Sequence, residues 1–138
     1  MDYNPIRKNM SKVTKNPTLF VDIDGTIVKY RKFDELATAV LTPIQGVIDY
    51  VNNHYNSGSV IIITTARPDS YELFTKQELE KIGVKYHQLV MNCGRGTRVV
   101  LNDMDPENPI QRAVGINFVR DGGFDQIGGI PDIKSYEL

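Results

Sequence analysis

Residues 60–63 read Val-Ile-Ile-Ile, four β-branched side chains in a row with no polar alternation. A strand with one face in water alternates apolar and polar residues, so an unbroken apolar run belongs to a strand covered on both faces, as in a parallel sheet. Parallel neighbours need a crossover, and a helix signal precedes the run. Thr42 is placed to cap that helix, Pro43 suits its first turn, and Gln45 sits where a capping box wants it. Ile44, Val47, Ile48 and Val51 then share one face at helical spacing, and Asn56-Ser57-Gly58 ends the element. A second apolar strand precedes the helix at residues 19–23. The order strand, helix, strand predicts an α/β layered fold.

Further elements follow at lower contrast. Pro68 and Asp69 turn the chain into a second helical region, in which Thr75 and Glu78 form another expected capping box. Leu79 and Ile82 give that helix an apolar side, and Gly83 stops it. Residues 87–91 and 98–101 read as two more strands, and Val114, Ile116 and Phe118 alternate as in an edge strand. The expected organisation is a polar, basic arm over residues 1–17, one domain over 18–120, and a Gly-rich tail over 121–138 whose structure the sequence does not define. The arm carries Arg7, Lys8, Lys12 and Lys15 against Asp2. Across the 138 residues, 16 basic side chains face 17 acidic ones, so overall charge argues for neither nucleic acid nor a membrane surface. No apolar run approaches a transmembrane length, and the single cysteine, Cys93, fits a reducing cytoplasm.

The first strand runs into Asp22 and Asp24, and the chain must turn at once at Gly25. Alternation along a strand points the two acids to one face, with Ile23 opposite. Two like charges this close repel unless a cation sits beside them, so the pair asks for a metal. The competing reading is a hairpin turned at Asp24-Gly25, with Asp22 a solvated strand residue. Ligands in open α/β sheets lie at the carboxyl ends of the strands, where Asp22, Asp24, Thr65 and Asp103 all fall. That convergence is what the hairpin leaves unexplained.

Asp22-Ile23-Asp24-Gly25-Thr26 after an apolar strand resembles the first signature of the haloacid dehalogenase superfamily of phosphohydrolases. Residues 60–68, an apolar strand ending in Thr64 and Thr65, resemble the second. Residues 99–105, an apolar strand ending in Asn102, Asp103 and Asp105, resemble the fourth. The resemblance implies a Rossmann-like three-layer fold with a mainly parallel sheet; members often insert a cap domain after the first motif or the second strand, and the segments at 27–59 and 68–85 are too short to hold one. It also implies Mg²⁺, a hard cation suited to oxygen ligands, held by Asp22, Asp24 and Asp103, with Asn102 or Asp105 in support. Asp22 would be ligand and nucleophile, forming an aspartyl-phosphate. Asp24 would offer its backbone carbonyl to the metal and its side chain as general acid and then base. Thr65, with the amides of Gly25 and Ala66, would hold phosphoryl oxygens.

The third signature, normally a lysine, has no clear counterpart. Arg95, in a Gly-rich loop, is the first candidate to replace it, Arg98 the second and Lys85 the third, although Lys85 precedes its strand; Arg67 could also serve. Without such a cation the chain would be a phosphate- or metal-binding module with weak turnover or none. A capless, open site suits a phosphorylated small molecule, a nucleic-acid end reached by the basic arm, or a site closed by a second subunit. A cysteine-dependent phosphatase needs Arg six positions after its nucleophile, and that position after Cys93 is Val99. No Walker-type loop is present, and neither His54 nor His87 has a partner at metal-ligand spacing.

Overall fold

The computed structural model describes residues 15–133. Strands β1 (Leu19–Val21), β2 (Ile61–Thr64) and β3 (Gln88–Val90) form one parallel sheet in the order β1-β2-β3. Leu19 lies opposite Ile61 and Val21 opposite Ile63, while Ile62 pairs with Gln88 and Thr64 with Val90. Helix α1 (Gln45–Asn56) carries the chain from β1 to β2, and α2 (Glu72–Ile82) from β2 to β3. The protein is therefore α/β with a Rossmann-like arrangement, but among the described residues the sheet is not covered on both faces as the unbroken 60–63 run led one to expect: Ile61 and Ile63 are buried, whereas Ile62 is only partly covered and Phe20, its register partner on the same face, is exposed.

Ile61 and Ile63 are completely buried, and the expected face of α1 meets them through Val47, Ile48 and Val51, with Ile44 partly buried beside it. Ile23, Ile27, Val28 and Leu79 complete the same core. Burying each such side chain contributes roughly 1.5–3 kcal/mol. Gly58 (φ 98°) follows the end of α1, and Gly83 (φ 72°) ends α2 in the left-handed conformation that glycine adopts without strain.

Both capping boxes differ from expectation. Helix α1 starts at Gln45, and no side chain caps it. The Lys29 N–H donates to the Thr42 carbonyl and the Ile44 N–H to the Ile27 carbonyl, so residues 42–44 pair with the loop after β1 instead. Gln45 Nε2 donates to Asp49 one turn on. Thr75 and Glu78 lie inside α2, buried, because a turn of 3-10 helix at Asp69–Tyr71 starts the helical path earlier.

Residues 98–101 form no strand among the described residues, and Val99, Val100 and Leu101 are exposed. The alternating stretch at 114–118 also stays outside the sheet, although Phe118 packs on the core. Conversely, the expected tail contributes to the core. Phe124 opens a 3-10 turn (Phe124–Ile127), is buried, and packs edge-on to Tyr50 and Phe118 with ring centres 4.8 and 5.0 Å away. The arm lies mostly outside the described residues, as do the last five positions, but Asn16 donates to the Ser57 carbonyl at 2.7 Å. Among the described residues, no helix is long and apolar enough to cross a membrane.

Candidate active site at the carboxyl ends of two strands

β1 pairs in parallel with β2, which removes the hairpin reading. Past Val21 the chain closes a tight loop in which the N–H groups of Thr26, Ile27 and Val28 all point to the Ile23 carbonyl at 3.0–3.2 Å. Gly25 takes φ 87° there, and a Cβ at this position would meet Arg120 Cγ at 3.2 Å, so glycine is the residue that fits without strain. The Gly25 N–H donates to the Val28 carbonyl at 2.8 Å. It closes the loop in this structure, where the resemblance would have it hold a phosphoryl oxygen.

The loop sends the two acids to different partners. Asp22 reaches solvent and accepts a hydrogen bond from the Thr26 hydroxyl at 3.1 Å. Loss of water around its carboxyl, with a smaller push from the Asp24 charge, raises its pKa above the ordinary value. Thr26, the Ile23 backbone and the Arg98 charge pull the other way without cancelling that rise.

Asp24 is turned inward onto Arg67. The Arg67 Nε–H donates to Asp24 Oδ2 at 3.0 Å and an Nη2–H to Oδ1 at 2.9 Å, a two-pronged pair. Arg67 follows β2, and its own side chain is 0% exposed. From its other side it donates through Nη1 to Thr75 Oγ1 at 3.1 Å and to Glu78 Oε1 at 2.9 Å. Glu78 also accepts two bonds from Arg31, at 2.8 and 2.9 Å. Burial opposes the charge on Glu78, but the hydrogen bonds and charges of Arg31 and Arg67 outweigh it and hold its carboxyl below the usual range. Burial likewise opposes the charge on Arg67, and Asp24 and Glu78 overcome it, so its pKa is raised.

Thr65 continues β2 toward the site. Its N–H donates to the Val90 carbonyl, and its buried hydroxyl accepts the Arg67 N–H at 3.1 Å. Ala66 between them is half-buried. Asn92, at φ 60°, donates to the Arg67 carbonyl, so the turn after β3 is laced to the end of β2.

The cation candidates separate clearly. Arg98 donates to the carbonyls of Gly94 and Gly96 at 3.0 and 2.8 Å, and its charge acts on Asp22. Arg95 stacks over the Phe33 ring, 4.6 Å from its centre. Lys85 donates to Asn56 at the amino end of the sheet, as its position before β3 predicts. Arg67 serves Asp24 and Glu78 from inside.

Asp103 is not brought to this cluster. Its side chain is 77% exposed and lies 3.5 Å from Arg112, because the run before it forms no strand to carry it to the sheet. Asn102 donates to the Asp103 carbonyl, and Asp105 accepts the Glu107 N–H at 2.9 Å in a local turn. Among the described residues, no three His, Cys, Asp or Glu side chains lie close enough to hold a metal together.

Arg31, Thr75 and Glu78 are parts of this site that the sequence reading left out. The available signal was Glu78 itself, a carboxylate three residues from Thr75 and on the stripe of Leu79 and Ile82. A charge on the inward stripe of a helix requires a buried partner. Asp121 is a second omission: its N–H donates to the Gly25 carbonyl at 3.0 Å, and its Oδ1 accepts the Tyr30 N–H at 2.7 Å. The former tail thus clamps the Asp22–Asp24 loop.

Fold and site together define an α/β protein whose acidic and hydroxyl side chains gather at the carboxyl ends of adjacent parallel strands. No protein-family model matches the chain, and no curated protein sequence matches it. A crystal structure of a target protein from Vibrio cholerae is similar at 20% identity, over 63% of this chain and 79% of that one, with a TM-score of 0.45.

Proposed function

We propose that this protein is a Mg²⁺-dependent phosphohydrolase of the haloacid dehalogenase type, with no cap domain and with Asp22 as its nucleophile. The observation that carries the reading is the division of labour between the two acids. Asp24 is immobilised by Arg67, while Asp22, two residues away, keeps a carboxyl that reaches solvent beside the charge of Arg98. In the proposed reaction, an Asp22 oxygen bonds to phosphorus as the bond to the leaving oxygen breaks. Water then attacks the aspartyl-phosphate and releases phosphate. Asp24 in its observed pose accepts an Arg67 N–H on each oxygen, so acting as base toward that water requires a carboxylate lone pair that Arg67 does not occupy. Donation to a leaving oxygen needs a proton that this pose does not provide. Esters with good leaving groups, such as an aryl phosphate, are therefore expected to turn over fastest.

The described side chains fit the expected metal only in part. Mg²⁺ commonly uses one or two carboxylates and completes its shell with water and phosphate, and Asp22 would supply one such ligand. When bound, the ion would offset the charge between carboxylate and phosphate. Asp103, engaged by Arg112, does not supply the second carboxylate here. That placement favours a second reading, a phosphate-binding module without turnover.

The test is phosphate release from an aryl phosphate and from sugar, nucleotide and oligonucleotide phosphates, with Mg²⁺ or with chelator, for wild type and Asp22→Asn. Release that needs Mg²⁺ and disappears in Asp22→Asn supports the phosphohydrolase. Silence across the panel with phosphate still bound supports the module.

A further inference from the structure

Asp24 is the outer end of a buried chain of charges. Arg67 joins it to Glu78, and Glu78 joins Arg67 to Arg31. One Arg31 nitrogen, Nη1, donates both to Glu78 Oε2 at 2.9 Å and to the Leu36 carbonyl at 3.1 Å. The chain therefore ends on the segment at 31–36, which holds the 3-10 turn Phe33–Glu35 and the ring on which Arg95 stacks.

Two positive and two negative groups compensate each other here, with every side chain no more than 10% exposed. Apolar side chains of similar volume often fill such a space with equal or better stability, so four ions are weak evidence for a purely stabilising role. Their geometry specifies direction instead. Glu78 Oε1 accepts from both arginines, and the Arg67 fork leaves the Asp24 carboxylate one orientation in which both of its oxygens are satisfied.

We propose that Arg67 is a positioning residue for Asp24, and that its pose is set by the 31–36 segment through Glu78 and Arg31. The catalytic consequence rests on the phosphohydrolase reading; the coupling itself does not. A displacement of the segment moves Arg31, releases one side of Glu78 and loosens the Arg67 fork. Reactive groups misplaced by about 1 Å lose up to about 100-fold in rate, so loosening this fork should act on turnover more than on substrate affinity.

The test uses full-length Arg31→Lys and Glu78→Gln with two readouts. One is hydrogen exchange of the Arg67 Nε–H, followed by nitrogen-resolved NMR. The other is kcat and KM for an aryl phosphate with Mg²⁺. Expected in both variants are exchange faster by about tenfold and kcat lower by about tenfold, with KM within about twofold of wild type. Folded variants with unchanged exchange and unchanged kcat would overturn the proposal. If wild type releases no phosphate, the phosphohydrolase reading falls, and the exchange measurement alone decides the coupling. If Glu78→Gln does not fold, Arg31→Lys decides, since it keeps the charge and touches neither Asp24 nor Arg67.

Discussion

Replacing Arg67 by methionine tests the buried cluster most directly. The change roughly keeps volume, so it removes charge and hydrogen bonds without opening a large cavity. Asp24 would lose both guanidinium donors, and Glu78 would keep only Arg31. Both carboxylates are about nine-tenths buried, with side chains 10% and 9% exposed. Stripping one partner from a buried pair costs about 3–5 kcal/mol. For a chain of this length each kcal/mol lowers Tm by about 3 °C, so the expected fall is about 10–15 °C at neutral pH. The deficit should depend on pH with a definite sign. Glu78 titrates below its ordinary value in the native state, so the stability it contributes is complete above that ordinary value, about pH 4.3, and is lost as pH falls through the native value. The gap between wild type and Arg67→Met therefore narrows in acid. Thermal and urea unfolding followed by circular dichroism, at neutral pH and near the acid end of the folded range, measures both effects. A fall below about 3 °C, or a gap that stays constant in acid, would refute the assignment of Arg67 as the keystone of this cluster.

Asp22→Asn should stabilise the fold while abolishing turnover: a carboxyl whose pKa is raised in the native state costs stability once ionised, so the variant gains at neutral pH, and the gain fades as pH falls through the raised native value and is gone below about pH 3.9. Denaturant midpoints across pH check this, and a destabilised Asp22→Asn would contradict it. Arg98→Ala should raise KM for a phosphorylated substrate by about tenfold with little change in Tm, since its side chain is exposed and bonds only nearby carbonyls; unchanged kinetics would remove Arg98 as the replacement cation. Phe124→Ala should cost about 3–5 kcal/mol by calorimetry if the 121–127 stretch is part of the core. A loss under about 1 kcal/mol would return that stretch to the status of a tail.

The local signals that could be read along the chain were those with strong periodicity. The Val60 to Ile63 run, the Ile44, Val47, Ile48 and Val51 stripe, and Gly83 determine a parallel strand, the helix that packs on its buried face and the end of the next helix, because burial demands apolar residues at those spacings. The Asp22-Ile23-Asp24-Gly25 sequence likewise determines two acids at a turn that only glycine accommodates easily. Which partners those acids meet is a long-range property. Asp24 and Arg67 are 43 positions apart, and Arg31 and Glu78 are 47 apart, so no local pattern could distinguish a buried guanidinium from a solvated one after β2. The same limit explains the apparent strand at 98–101: its propensity suits a sheet, but strand formation needs a neighbour to share its hydrogen bonds, and the described sheet gives it none. Asp103 therefore stays with Arg112, and the aromatic side of the core is closed by Phe124 from a glycine-rich stretch. Periodicity specified the layers, because each helix and strand carries its own apolar face. Pairing across the chain decided the site, because the energy of a buried charge depends on which groups surround it in space.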